Sequence, residues 1–260
     1  MAGVMLRTKA ALRTLPFGPR LLRAARAVVG GRVVTAHAAR QQMFPRACRH
    51  LAESIPDPIV VKVGAHDGLS GDVSAEALHH NPRWGGLMIE PVPELFERLK
   101  ANLGDQTGFR FENVAVGEPA GWQSFYTVDP RAGEDPDAPH FYDQLGSFDR
   151  NHLARQANGV LEPYIREIRV EVQPLTALIA RNGLSRVDVL QIDAEGFDYH
   201  VICTLDFAQY RPSIIFIEQR HLAPHERLSL LKLFRRHGYE VHDCGADYLA
   251  LHRDSAAARG

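Results

Sequence analysis

Ile59-Val60-Val61-Lys62-Val63-Gly64-Ala65-His66-Asp67-Gly68 is the stretch that decides the fold. Its first half is a short β-branched run, which predicts a buried strand. It stops at Gly64, where glycine lets the backbone turn tightly and approach a ligand with no side chain between. The middle glycine of a G-x-G-x-x-G turn, the one that admits a pyrophosphate, is missing. The turn therefore suits a nucleoside without phosphates better than a dinucleotide.

Downstream, Asp72 to His80 has helix-forming character up to a stop at Asn81-Pro82. A second strand, Gly86 to Glu90, is closed by Pro91. Pro93 to Lys100 reads as a helix, with proline and an acid in its first turn. Phe109 to Val114 reads as a third strand. This alternation is the mark of a parallel α/β sheet. From Gly117 to Asp149 the pattern lapses: Gln123 to Val128 suggests an edge strand, and Asp129 to His140 is rich in Pro, Asp, Gly and Ala. Long irregular segments in compact domains commonly serve function, so Gln144 to Asp149, with Ser147, is expected to form a lid or acceptor loop. Regularity returns with a helix at Pro174 to Asn182 and strands at Val187 to Asp193 and Ser213 to Glu218. A helix at Glu226 to His237 precedes antiparallel closing strands at Tyr239 to Asp243 and Asp247 to His252.

These elements predict a doubly wound, Rossmann-like α/β sheet, mostly parallel with an antiparallel closing strand, plus N-terminal helices. The expected organisation is a basic helical extension over 1–55, the α/β domain over 56–252 and a frayed tail over 253–260. At 260 residues the chain suits one such domain. Apolar residues at 45% suffice for a sizeable core, and a net charge of -1 argues against a nucleic-acid partner held by bulk electrostatics. The charge is uneven, however. Met1 to Ala52 contains no Asp or Glu but carries Arg and Lys throughout. That segment reads as helices broken at Pro16-Phe17-Gly18-Pro19 and Gly30-Gly31, with membrane-surface contact or organelle targeting as other readings of the same composition. Cys48, Cys203 and Cys244 show neither a disulfide framework nor zinc spacing, so a reducing, cytoplasmic setting is expected. No apolar run approaches the roughly 20 residues of a membrane span.

Glu90 ends the second strand at the sheet edge where open α/β sheets bind ligands. There an acid can accept hydrogen bonds from both ribose hydroxyls. Asp193-Ala194-Glu195-Gly196 ends a later strand. One of its acids is expected to cap the next helix, while the pair could instead act as base or bind a divalent ion. Glu218-Gln219-Arg220-His221 ends the following strand and suits the acceptor side of a pocket, His221 having a base strength near neutrality. His66 and His152 are weaker base candidates.

Val63 to Gly68, Ile89-Glu90-Pro91, Asn113 to Gly117 and Leu190 to Gly196 together resemble the ordered motifs of the FkbM-type methyltransferase family, over roughly residues 58 to 252. The resemblance implies a class I, S-adenosylmethionine-dependent methyltransferase, with O-methylation of a sugar or natural-product hydroxyl as the expected reaction on a small-molecule acceptor. It further implies that Gly64, Ala65 and Gly68 line the methionine end, Glu90 holds the ribose, Asn113 to Ala115 lie near the adenine, and Asp193 faces the methionine amine or the acceptor. Many methyltransferases carry an acid two residues before the first glycine, where this chain has Lys62. Asp67 or Asp193 is expected to compensate. Catalysis is expected of Asp193, His221 and Glu195, and acceptor contacts of Ser147, Glu218 and His221. Metal dependence and homo-oligomerisation are left open. Two other readings stand beside this one: a nicotinamide-dependent oxidoreductase of the same fold, and a non-catalytic module that docks through its basic N-terminus.

Overall fold

The structure, a computed structural model, describes residues 26–29, 32–35, 42–70, 83–104 and 108–258. It divides into two units between Gln42 and Met43. In the first, strands β1 (Arg26–Val29) and β2 (Arg32–Thr35) pair antiparallel, Val29 opposite Arg32. Helix was expected there. Valine pairs on either side of Gly30-Gly31 favour a hairpin instead, because β-branched residues prefer strands and a two-glycine connection suits a tight turn. The remainder of the expected helical extension before Arg26, and the expected helix at Asp72 to His80, lie outside the described residues.

The second unit begins with α1 (Met43–Ser54), whose buried Phe44, Cys48 and Leu51 recur at helical spacing. They pack on the sheet, and Phe44 stacks on Phe216 with ring centroids 4.3 Å apart. The compact unit that contains the sheet thus includes α1.

Its main sheet contains seven strands: β3 (Ile59–Val63), β4 (Gly85–Ile89), β5 (Phe109–Glu112), β10 (Val189–Ile192), β11 (Ile214–Glu218), β12 (Tyr239–Asp243) and β13 (Asp247–His252). They lie in the order β12-β13-β11-β10-β3-β4-β5. β13 runs antiparallel to both its neighbours, and β11, β10, β3, β4 and β5 are mutually parallel. Every residue of β10 and of β11 is buried, as expected of strands covered on both faces. One face packs against α4 (Leu175–Arg181), α5 (Asp198–Cys203) and α6 (Pro224–Arg236) through residues such as Leu178, Ile202 and Phe234. The other packs against α1 and α2 (Pro93–Leu103). Chain order reverses between β3 and β10, which opens a crevice at their carboxyl ends.

Between β5 and α4 the chain builds a second sheet from β6 (Ala115–Val116), β7 (Gly121–Val128), β8 (Gly146–Ser147) and β9 (Ile165–Gln173), in the order β6-β9-β7-β8. The expected edge strand at Gln123 to Val128 is thus an interior strand of this sheet, paired along its length with β9. Three further features depart from expectation. β9 forms where no regular structure was expected, and α3 (Arg150–Arg155) follows the expected acceptor loop. The tail is not frayed as far as Ala258: a 3-10 turn at Ala256–Ala258 buries Ala257 against α1. No helix among the described residues is long and apolar enough to cross a membrane.

Candidate active site

The crevice is set by a contact between backbones. Gly64 sits at φ 73°, its N–H donating to the Ile89 carbonyl at 3.0 Å. A Cβ on Gly64 would fall 1.9 Å from the Asp193 carbonyl oxygen, so only glycine lets the ends of β3 and β10 approach this closely. Two cavities meet here. One is narrow, 60 Å³, and walled by Val92, Val114, Ala115, Phe125, Leu145 and Phe148 among others. The other is a cleft of 910 Å³ that runs past Lys62 toward Glu218 and His221, within the roughly 300–1,000 Å³ of small-molecule sites. Gly64, Glu90, Asp193 and Glu195 line both.

Glu90 follows β4 directly and is 4% exposed. Its carboxylate accepts from the His66 and Val92 N–H groups, each at 2.9 Å. A carboxylate offers about four acceptor sites, so about two remain for a ligand. Burial pushes the Glu90 carboxyl up to about 7, outweighing those two hydrogen bonds and the nearby charge of Lys62. Asn113 does not line either cavity. Its amide donates to the Glu90 and Pro91 carbonyls at 2.8 and 3.2 Å and so fixes the segment that carries Glu90. Ala115, with Val114 and Val116, does reach the narrow pocket.

Several residues expected to contact ligand brace the scaffold around the site. Ala65 is fully buried in the core, and Gly68, at φ 78°, packs on Leu99 and Leu103 of α2. Asp67 accepts from the Leu69 and Ser70 N–H groups and the Ser70 hydroxyl, and pairs with His66 at 3.2 Å. Partial burial opposes ionisation, yet these bonds hold its carboxyl well below the usual range. Asp67 thus braces the turn. Ser147 is buried and accepts from the Asp149 N–H, while its neighbours Gly146 and Phe148 line the pocket. The Gln144 to Asp149 segment is therefore a wall of the site, but not through Ser147.

Acids gather at the ends of β10 and β11. Carboxylate oxygens of Asp193, Asp198 and Glu218 lie within 4.8 Å of one another. Asp198 is fully buried and accepts from the Ala194 and Gly196 N–H groups at 3.0 and 3.1 Å. It holds the turn that either Asp193 or Glu195 was expected to cap. Burial, followed by the Asp193 charge, raises its carboxyl well above the ordinary value. Glu218 is pushed up to about 10 by burial and then by the charges of Asp193, Asp198, Glu195 and Asp247, and its Oε2 has no hydrogen-bond partner. The sequence signal for Asp198 was its place five residues after Asp193, on the first turn of the helix that follows the motif.

Beside the acids, Glu195 sits at φ 48° between two imidazoles. Its Oε2 is 3.6 Å from His152 Nε2 on α3 and 3.8 Å from His221 Nε2 after β11. Burial holds His221 below the ordinary imidazole value. His66 lines the cleft from the glycine turn, and Lys62, buried on β3, lies along the cleft floor with Gln191.

A seven-stranded sheet with these crossovers, a glycine turn at its switch point and an acid ending the second of its strands fit the fold of class I methyltransferases. The description "Methyltransferase FkbM domain" matches residues 62–241, and the chain belongs to that family. It is 26% identical over 212 residues to the 31-O-demethyl-FK506 methyltransferase FkbM of Streptomyces tacrolimicus, covering 77% of this chain and 80% of that one. It is 29% identical over 208 residues to the AMB antimetabolite synthetase AmbE of Pseudomonas aeruginosa, a match that covers 72% of this chain but only 10% of the synthetase. Among solved structures, Aeropyrum pernix fibrillarin with natively bound S-adenosyl-L-methionine aligns over 90% of this chain and 84% of that one, at 12% identity and a TM-score of 0.37.

Proposed function

We propose that the chain O-methylates a hydroxyl of a small metabolite, a sugar or natural product, with S-adenosylmethionine as donor. The observation that carries this reading is the junction of the two cavities at Asp193, where an exposed carboxylate stands between a narrow apolar pocket and a polar cleft.

The residues present fit the donor. The narrow pocket beside Val114 to Val116 suits an adenine, and the free acceptor sites of Glu90 suit ribose hydroxyls. The unpartnered Glu218 oxygen, inside a crowd of acids, suits the methionine ammonium. Lys62, the opposite charge in the same cleft, suits the carboxylate. When bound, the sulfonium would supply an activated methyl group, open to attack at carbon by an aligned nucleophile, with the thioether leaving and keeping the electron pair of the broken C–S bond. The protein's part is then alignment and removal of the hydroxyl proton. Asp193 accepts that proton as the C–O bond forms, and the wall at Gln144 to Phe148 keeps water from the methyl.

The test is calorimetric titration of the purified protein with S-adenosylhomocysteine, with NAD alongside, followed by a screen of hydroxylated acceptors for methyl transfer. Micromolar binding of S-adenosylhomocysteine alone, with transfer to oxygen, is expected. Binding of NAD instead would overturn the donor, and transfer only to nitrogen or carbon would overturn the acceptor class.

A further inference from the structure

Glu195 Oε2 is buried and has no hydrogen-bond partner, although two imidazole nitrogens face it. At 3.6 and 3.8 Å those nitrogens are too far for a hydrogen bond. The separations are instead close to the roughly 3.4 Å between donors that each stand about 2.1 Å from one tetrahedral ion. All three ligand atoms lie within 4.8 Å of one another, and the rings meet edge to face with centroids 4.8 Å apart.

We propose that His152, Glu195 and His221 form a binding site for a divalent transition-metal ion. Two imidazoles and one carboxylate make a donor set suited to Zn²⁺, Co²⁺, Mn²⁺ or Fe²⁺, whereas Mg²⁺ and Ca²⁺ prefer oxygen alone. The ligands come from three places: α3 of the inserted segment, the turn after β10 and the end of β11. Around that turn the backbone is held in an uncommon conformation, Glu195 at φ 48° and Gly196 at φ 92°. A Cβ at Gly196 would lie 3.4 Å from His221 Cβ and 3.6 Å from His152 Cε1, so both histidines pack directly against it. Strain of this kind persists where surrounding structure enforces it, commonly at functional sites.

The remaining polar neighbours are consistent with such a site. The Gln156 amide nitrogen lies 3.1 Å from His152 Nε2, so the ion would take its place on that nitrogen. Glu218 Oε1 stands 3.7 Å from His221 Nε2 and places a further oxygen beside the ligands. Glu195, His221 and Gln156 all line the cleft, so a coordination position opens toward the acceptor. The ion's role toward an acceptor oxygen rests on the methyltransferase reading above. Its binding does not.

The experiment is titration of untagged, full-length, chelator-stripped protein with Co²⁺, read by visible absorption, and with Zn²⁺, read by calorimetry. S-adenosylhomocysteine binding is measured on the same samples as a report of folding. One ion per chain is expected, with affinity reduced by at least about tenfold in His152→Ala and in His221→Ala. His242→Ala, on the remote strand β12, should bind as wild type. Should either imidazole variant misfold, Glu195→Gln provides the same comparison with little change in shape. Wild-type protein that binds S-adenosylhomocysteine but neither metal would overturn the site, as would unchanged metal affinity in folded variants. Metal binding without S-adenosylhomocysteine binding would support the site while overturning the donor reading.

Discussion

Glu90 combines two demands that pull its ionisation in opposite directions. Burial favours the neutral acid, with its carboxyl at about 7, while ribose hydroxyls are best held by the carboxylate. Glu90→Ala should weaken S-adenosylhomocysteine binding by roughly 1.5–3 kcal/mol for two hydrogen bonds to a charged acceptor. Unchanged affinity by calorimetry would remove the ribose assignment. Asp193→Asn separates chemistry from binding: turnover should fall more than S-adenosylhomocysteine affinity, and equal losses would make it a binding residue. Lys62→Met should weaken S-adenosylhomocysteine while sparing methylthioadenosine, which lacks the amino-acid end. Equal loss of both ligands would place Lys62 away from the carboxylate. Of these residues, Glu90 and Asp193 were legible because each follows an apolar run at a strand end. Asp67, Gly68 and Asn113 were legible only as members of motifs. Whether a motif residue meets ligand or braces its neighbour depends on the direction of its side chain, which spacing does not encode.

At the scale of elements, α1 shows how packing overrides composition. Its arginines made it look like part of a basic extension, yet Phe44, Cys48 and Leu51 bury on the sheet. Phe44→Ala removes a stacked, 1% exposed ring and should destabilise the domain by roughly 3–5 kcal/mol in urea denaturation. A loss under 1 kcal/mol would mean that α1 is only loosely attached. The parallel strands were readable because burial on both faces demands unbroken apolar runs. β9 was harder. Ile168-Arg169-Val170-Glu171-Val172 does alternate, but its partner β7 lies some forty residues earlier, across a stretch of turns and 3-10 helices. Pairing of that range leaves little trace in local sequence.

For the molecule as a whole, cofactor binding, protonation and stability are linked. Because the folded Glu90 carboxyl lies above its ordinary value, the native state holds a proton there that the unfolded chain releases. Its contribution is therefore fully present below the ordinary carboxylate value and is lost as pH rises toward about 7. Between pH 5 and 7, roughly, wild type should lose stability relative to Glu90→Gln. S-adenosylhomocysteine, by favouring the carboxylate, should release protons on binding near pH 6, measurable in buffers of different ionisation enthalpy. Parallel stability curves for the two proteins would show that Glu90 does not titrate in this window.

The inserted sheet leaves and rejoins the main layer at a single place. Ala115 and Val116 of β6 lie alongside Val172 and Gln173 of β9, and the Gly117 N–H donates to the Gln173 carbonyl. Everything between, including the walls at Phe125 and Leu145, is one continuous loop of chain that packs back on Val92 and Leu95. Such a segment can be lengthened, shortened or exchanged while the strands beneath keep their register. Because Phe125 and Leu145 wall the narrow pocket, a change in the length of this loop should be felt at the donor's end of the site as well as at the acceptor's.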